Sequence, residues 1–236
     1  MFDSHFVMLS AARTGSNALA GALHSHPNIY SDMEIFHSER VFGHQLDCET
    51  LKERDADPIA FLARHERRAA AIKPTAKIFG FKLFLDHNDV VKKHLLANNS
   101  WKKILLSRKN TLDQFISLSL ANLSQKWVSH LEFEKPEKIH VSLEAYSQFH
   151  ENTQRSFADQ RVALLSHGAN WIDLDYETVT HSDFEPLLAF LGADVCRAIK
   201  PATAKQNLAS TESKVSNAAD LHEFLFANGL DTMWVD

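Results

Sequence analysis

The sequence predicts an α/β fold in which helices cover both faces of a mostly parallel sheet. Three observations lead there: short apolar runs alternate with segments of helical period along the chain; the first run passes through a small, polar stretch straight into a helix; and 236 residues with 44% hydrophobic composition are enough for one sizeable core. A single domain over residues 1–236 is expected.

The elements follow in order. His5 to Ser10 (HFVMLS) is rich in strand formers and ends in AARTGSN. From Ser16 the residues Ala18, Leu19, Gly21, Ala22 and Leu23 suit a helix that stops near Pro27. Glu49 to Ala71 carries charges interleaved with Leu51, Ile59, Phe61 and Leu62, a helical pattern with a break near Pro58. Lys77 to Leu85 (KIFGFKLFL) is a second strand, followed by a helix over Asn88 to Ala97 and a third strand at Lys102 to Ser107.

Leu112, Phe115, Ile116, Leu120 and Leu123 recur at helical spacing, so a helix from Thr111 to about Gln125 buries one face and carries Ser117 on its flank. Ser142 to about His167 is a further helix, and Asn170 to Asp175 a short strand. Phe184 to Leu191 is a short helix ended by Gly192; a last helix runs from a capping Asn217 to Asn228 and closes at Gly229. Lys200 to Ser216, rich in Ala, Ser, Thr and Lys, reads as an exposed loop or lid.

Composition excludes several function classes. A formal net charge of -5 gives no global basic surface, so nucleic acid is not an expected partner and anion binding has to be local. The chain has no apolar run of about 18 residues and no basic segment followed by an apolar stretch at its start, so no transmembrane segment is expected, and a cytoplasmic location is. Only Cys48 and Cys196 occur, too few for a disulfide framework. The 14 histidines are scattered, and the pair in His24-Ser25-His26 lacks a third ligand at metal spacing, so no metal is expected.

Chemistry concentrates between Ser10 and Asn17, where a strand end, Arg13, Gly15 and the hydroxyls of Thr14 and Ser16 precede a helix N-terminus. Such a turn cradles anions: glycine permits the tight bend, first-turn N–H groups point at the ligand, the helix dipole favours negative charge, and an arginine grips two oxygens at once. The nucleotide-triphosphate signature G-x-x-x-x-G-K-[ST] is absent.

Here a family likeness becomes specific. SAARTGSNALAGALHSHPNI, from Ser10 to Ile29, resembles the 5′-phosphosulfate loop of the sulfotransferases that use 3′-phosphoadenosine-5′-phosphosulfate (PAPS), especially the bacterial branch related to lipopolysaccharide, Nod-factor and trehalose-lipid sulfotransferases. ILLSRKNTLDQFISLSLA, from Ile104 to Ala121, resembles that family's 3′-phosphate motif, in which a strand-end arginine and a helix serine share one phosphate; these are Arg108 and Ser117. Their spacing is one residue longer than in the animal cytosolic branch and matches the bacterial one, which leaves Lys109 able to share the Arg108 role. FGFKLF at Phe79 to Phe84, AKQN around Lys205 and VSNAADLHEFL extend the resemblance over most of the chain.

The resemblance implies a P-loop-like three-layer sandwich, PAPS as co-substrate, adenosine 3′,5′-bisphosphate (PAP) as product, and transfer without a metal to a hydroxyl of a small-molecule, glycan or glycolipid acceptor. It implies cofactor contacts from Arg13, Thr14, Gly15, Ser16, Asn17, Arg108, Ser117 and Lys205, with Gln206 beside the last. Arg13 is also expected to stabilise charge on the leaving phosphate. An acceptor hydroxyl needs a positioned base, and Glu34 in SDMEIFH matches a glutamate of the bacterial branch. The animal branch places a histidine on the strand equivalent to FKLF; here Leu83 and Phe84 stand in that neighbourhood and the nearest histidine is His87, which favours Glu34. His37 and Lys82 are candidate acceptor or sulfuryl contacts, while Asp175, Tyr176 and Glu177 are assigned to the scaffold. A nucleotide-dependent kinase on a similar scaffold, or a non-catalytic binder of PAP or PAPS, are the competing readings.

Overall fold

The computed structural model describes residues 2–44, 50–125, 138–195, 199 and 210–234. Five strands, β1 (Ser4–Ser10), β2 (Ile29–Asp32), β3 (Ile78–Phe84), β4 (Trp101–Ser107) and β5 (Trp171–Asp175), form one sheet in the order β2-β3-β1-β4-β5. All four pairings are parallel, with Phe6 opposite Gly80 and Lys102, and Leu106 opposite Leu174. The α/β architecture read from the sequence is therefore the observed one. Strand connections leave β1 and β4 in opposite directions, which puts the switch point, where such sheets bind ligands, at the carboxyl ends of these two neighbours.

The ten α-helices of the described residues are α1 (Ser16–Ser25), α2 (Leu51–Ala56), α3 (Pro58–Ile72), α4 (Asp89–Ala97), α5 (Thr111–Ser124), α6 (Leu143–Ser166), α7 (Tyr176–His181), α8 (Glu185–Leu191), α9 (Thr211–Lys214) and α10 (Ala218–Ala227), followed by a 3-10 turn at Asp231–Met233. The break expected at Pro58 is real: Asp57 caps α3 by accepting the Ala60 N–H at 2.9 Å, and proline occupies the first turn, where no intrahelical N–H bond is lost.

Contacts divide the chain into two compact units, residues 1–107 with 160–202, and residues 108–159 with 203–236. The first holds the sheet. Side chains alternate across a strand, so Phe6, Met8, Ile104 and Leu106 share one face and pack with Leu19, Leu23, Leu187 and Leu191 of α1 and α8. On the other face Phe36 meets both Phe81 and Phe61 of α3, at ring separations of 5.6 and 5.5 Å. Gly80 belongs to the first face, and a Cβ built there would lie 2.3 Å from the Phe6 ring, so glycine is what lets that ring lie across β3. The second unit has its own core, in which Leu112 and Ile116 of α5 meet Tyr146 of α6 and Leu221 and Leu225 of α10.

Two elements were not foreseen, and two expectations change. Ile29–Asp32 is a strand, although only four residues long. Tyr176–His181 is a helix, capped by Asp175, whose side chain accepts the Thr178 N–H at 3.1 Å. Asn217 does not cap α10 with its side chain: that amide bonds both the N–H and the carbonyl of Val141, at 3.0 and 2.9 Å, and ties the helix start to the segment before α6. Within the expected exposed loop, Thr211 is fully buried and Lys214 nearly so, because α9 packs down beside the bridge between Ile139 and Val215. The rest of that loop, with Lys205 and Gln206, lies outside the described residues, as do Cys48 and Cys196.

Candidate active site

The turn between β1 and α1 is built as the sequence implied. Gly15 has φ 81 and Arg13 φ 65, so two residues in three take the left-handed conformation. Glycine adopts it freely, whereas arginine carries strain of about 1–3 kcal/mol, of the kind concentrated at functional sites. The Thr14 hydroxyl is turned inward to donate to the Ala11 carbonyl at 2.8 Å, which shapes the loop. No side chain caps α1, so the N–H groups of its first turn have no partner from that source and can meet an anion. A Cβ at Gly15 would stand 2.9 Å from the Tyr176 ring and 3.7 Å from Val179: the start of α7 covers the turn from outside. Tyr176, read as scaffold, therefore fixes the loop's shape. We expect Gly15→Ala to weaken nucleotide binding at least tenfold in calorimetry while the chain stays folded, because both its φ and the Tyr176 contact resist a side chain.

Lys82 connects this turn to Glu34. It lies on the α1 face of β3, only 1% exposed, and its ammonium donates to Asn17 Oδ1 and to Ser16 Oγ at 3.5 Å, and pairs with Glu34 Oε1 at 2.5 Å. The three donors of the ammonium are thereby engaged. Burial lowers the lysine's proton affinity, and the Glu34 carboxylate acts against that, with Arg13 near enough to oppose it again. A buried charge of this kind is stable only when paired and hydrogen-bonded. Lys82 does not snorkel to water; it binds the first turn of α1 and the candidate base together.

The loop bearing Glu34 is held firmly. Asp32, the last residue of β2, accepts the N–H groups of Met33 and His44, each at 2.9 Å, through Oδ1, and His65 Nε2 donates to Oδ2 at 2.7 Å; both side chains are fully buried. Desolvation pushes the Asp32 carboxyl up, but His65, the Met33 N–H and His44 outweigh it and hold it below the ordinary carboxylate value. Arg54, 3% exposed, donates to the carbonyls of Ile35 and His37 at 3.3 and 2.6 Å. Ile35 and Phe36 anchor the loop in the core. His37 ends beside His87, with ring centroids 5.4 Å apart, and one ligand-type atom from each of Glu34, His37 and His87 lies within 4.8 Å of the others.

In the second unit, Arg108 follows β4 and is 8% exposed; its Nη2 donates to Asp113 Oδ2 at 2.8 Å, and Lys214 Nζ approaches Asp113 Oδ1 at 3.4 Å. Asn110 caps α5 by accepting the Asp113 N–H at 2.8 Å. Ser117 stands four residues beyond Asp113 on α5, hence on the same helix face one turn along. Arg108 and Lys214 thus share one carboxylate, and Ser117 lies one turn further along the same face of α5. Lys214 was not foreseen, because a lysine in a Ser/Thr-rich stretch reads as solvated until α9 buries it.

His24 and His26 serve the fold. His26 Nε2 contacts the Asp194 carbonyl at 2.9 Å; His24 Nδ1 contacts that of Ser31 at 3.0 Å, and its ring lies 3.8 Å from His44. Burial, then His44 and Lys73, lower the His24 pKa to about 4.

No family model matches the chain. It is similar to nodulation protein H of Rhizobium tropici, 25% identical over 237 residues, covering 95% of this chain and 90% of that protein. Among solved structures, a sulfotransferase from Alicyclobacillus acidocaldarius superposes with a TM-score of 0.55 at 18% identity, over 99% of this chain and 93% of that one. The mouse sulfotransferase SULT7A1 complexed with PAP gives a TM-score of 0.45 at 15% identity, over 84% of this chain and 61% of that one.

Proposed function

We propose that the chain is a PAPS-dependent sulfotransferase that transfers the sulfuryl group to a hydroxyl of a carbohydrate or glycolipid acceptor, with Glu34 as general base, a reading supported by its likeness to nodulation protein H. The observation that carries this reading is the bridge made by Lys82: one buried ammonium touches Asn17, in the anion-cradling first turn of α1, and the carboxylate of Glu34. A sulfuryl group seated against that turn then has a base and two cations, Lys82 and Arg13, within the same small volume.

The chemistry is in-line displacement at sulfur, in which positioning and charge stabilisation supply the catalysis. Glu34 accepts the acceptor's hydroxyl proton as that oxygen bonds to sulfur. The bond from sulfur to the 5′-phosphate oxygen breaks, and Arg13 with the N–H groups of residues 14–17 takes up the charge left on that phosphate. Lys82 faces the sulfuryl oxygens and fixes the Glu34 carboxylate. For the 3′-phosphate, Arg108 and Ser117 are the proposed donors, joined by Lys214; Lys205 keeps its place on resemblance alone. His37 is proposed to touch the acceptor from the Glu34 loop. Residues 1–236 are taken as one sulfotransferase domain, a reading supported by the 99% coverage in the bacterial superposition.

Thermal denaturation with ligand tests the nucleotide. PAP at about 100 times its Kd should add about 2.7 kcal/mol by mass action, a rise on the order of 5–10 °C for a chain this long. A rise with magnesium and ATP but none with PAP overturns the reading in favour of a kinase.

A further inference from the structure

The loop after β2 and the turn after β3 bring a second kind of chemistry to the Glu34 carboxylate. Glu34, His37 and His87 present ligand-type atoms all within 4.8 Å of one another. The Nδ1 of His87 is buried and has no hydrogen-bond partner among the described residues, so it is available to a ligand. His37 Nδ1 accepts the Glu39 N–H at 3.1 Å, an exposed contact that water replaces readily. Glu34 has two oxygens, so it can keep Lys82 on one and hold a cation on the other.

We propose that Glu34, His37 and His87 form a binding site for a divalent transition-metal ion of the zinc type. Two imidazoles and one carboxylate favour zinc, cobalt, nickel or copper over magnesium and calcium, which prefer oxygen ligands throughout. Three protein ligands leave a position open for water. Donors at about 2.0–2.2 Å around a tetrahedral ion stand about 3.4 Å apart, so the three groups close on it by side-chain rotation. Lys82 sits beside this site and opposes a cation there, so binding in the micromolar range, weaker than at a four-ligand structural site, is the expected strength. An ion so placed ties the Glu34 loop to the β3–α4 turn and takes the electron pair that the acceptor proton requires. Inhibition by zinc is the consequence, and that consequence alone rests on Glu34 being the base.

The test is titration of the full chain, stripped with chelator, with cobalt(II), followed by its visible absorption, and with zinc by calorimetry. One equivalent of cobalt is expected to give the intense band of a four- or five-coordinate site. His87→Ala and His37→Ala should each weaken zinc at least tenfold with unchanged circular dichroism, whereas His24→Ala should not. No band, or equal affinity in wild type, His87→Ala and His37→Ala, overturns the site. Turnover is read as the ratio of rates with and without zinc. If zinc binds with this pattern and the wild-type ratio stays at one, the metal site stands and Glu34 is not the base.

Discussion

Glu34→Gln is expected to lower kcat about 10²- to 10⁴-fold while PAP binds within threefold of wild type. Glutamine keeps the shape and can still accept a hydrogen bond from Lys82, but it cannot take a proton. Because Lys82 is buried and has Glu34 as its acidic partner, the substitution also leaves an ammonium short of a counter-charge. Breaking a buried pair costs up to about 3–5 kcal/mol, so rates have to be compared well below the variant's Tm. Lys82→Met separates the two roles: it removes the cation and leaves the base, and should lower kcat by less than Glu34→Gln does. Full turnover in Glu34→Gln moves the base elsewhere.

The second large effect concerns stability. Asp32→Ala removes the acceptor for two backbone N–H groups and for the fully buried His65, leaving all three without their shared carboxylate. We expect a loss of about 3–5 kcal/mol, a fall in Tm on the order of 10 °C at this length, and reduced turnover in the surviving protein, since Asp32 holds both ends of the loop carrying Glu34. A Tm within 2–3 °C of wild type, about 1 kcal/mol, contradicts the assigned role.

The same region makes the fold sensitive to acid, with a definite sign. The folded pKa of His24 is depressed to about 4 from 6.5, so the unfolded chain binds a proton that the folded chain refuses, and stability falls as pH drops from 6.5 towards 4. Asp32 is depressed below 3.8, so its contribution is present above that value and is lost as pH falls through its folded pKa. Denaturant midpoints at pH 7, 5 and 3 should therefore decline in two stretches, and His24→Gln should flatten only the upper one.

What the sequence disclosed and what it withheld divide along a physical line. The Gly15 turn was legible because glycine, arginine and a helix start are neighbours in the chain, and β1, β3 and β4 because they are central strands written as apolar runs. β2 escaped because a four-residue edge strand after Pro27 leaves almost no periodic signal. The Lys82–Glu34 pair joins residues on different elements, and nothing local in FGFKLF indicates that the lysine is buried. The Asp32–His65 pair spans 33 positions, and its carboxylate reads in isolation as a loop acid. Asn217 shows the reverse: a good helix cap by residue type was drawn off by the Val141 backbone.

A crystal structure with adenosine 3′,5′-bisphosphate bound addresses the main claim most directly. The 5′-phosphate is expected within hydrogen-bond distance of the N–H groups of residues 14–17, with Lys82 and Glu34 at the side where the sulfuryl group would extend. A nucleotide seated away from the Gly15 turn, or a 5′-phosphate directed away from Lys82, would contradict it.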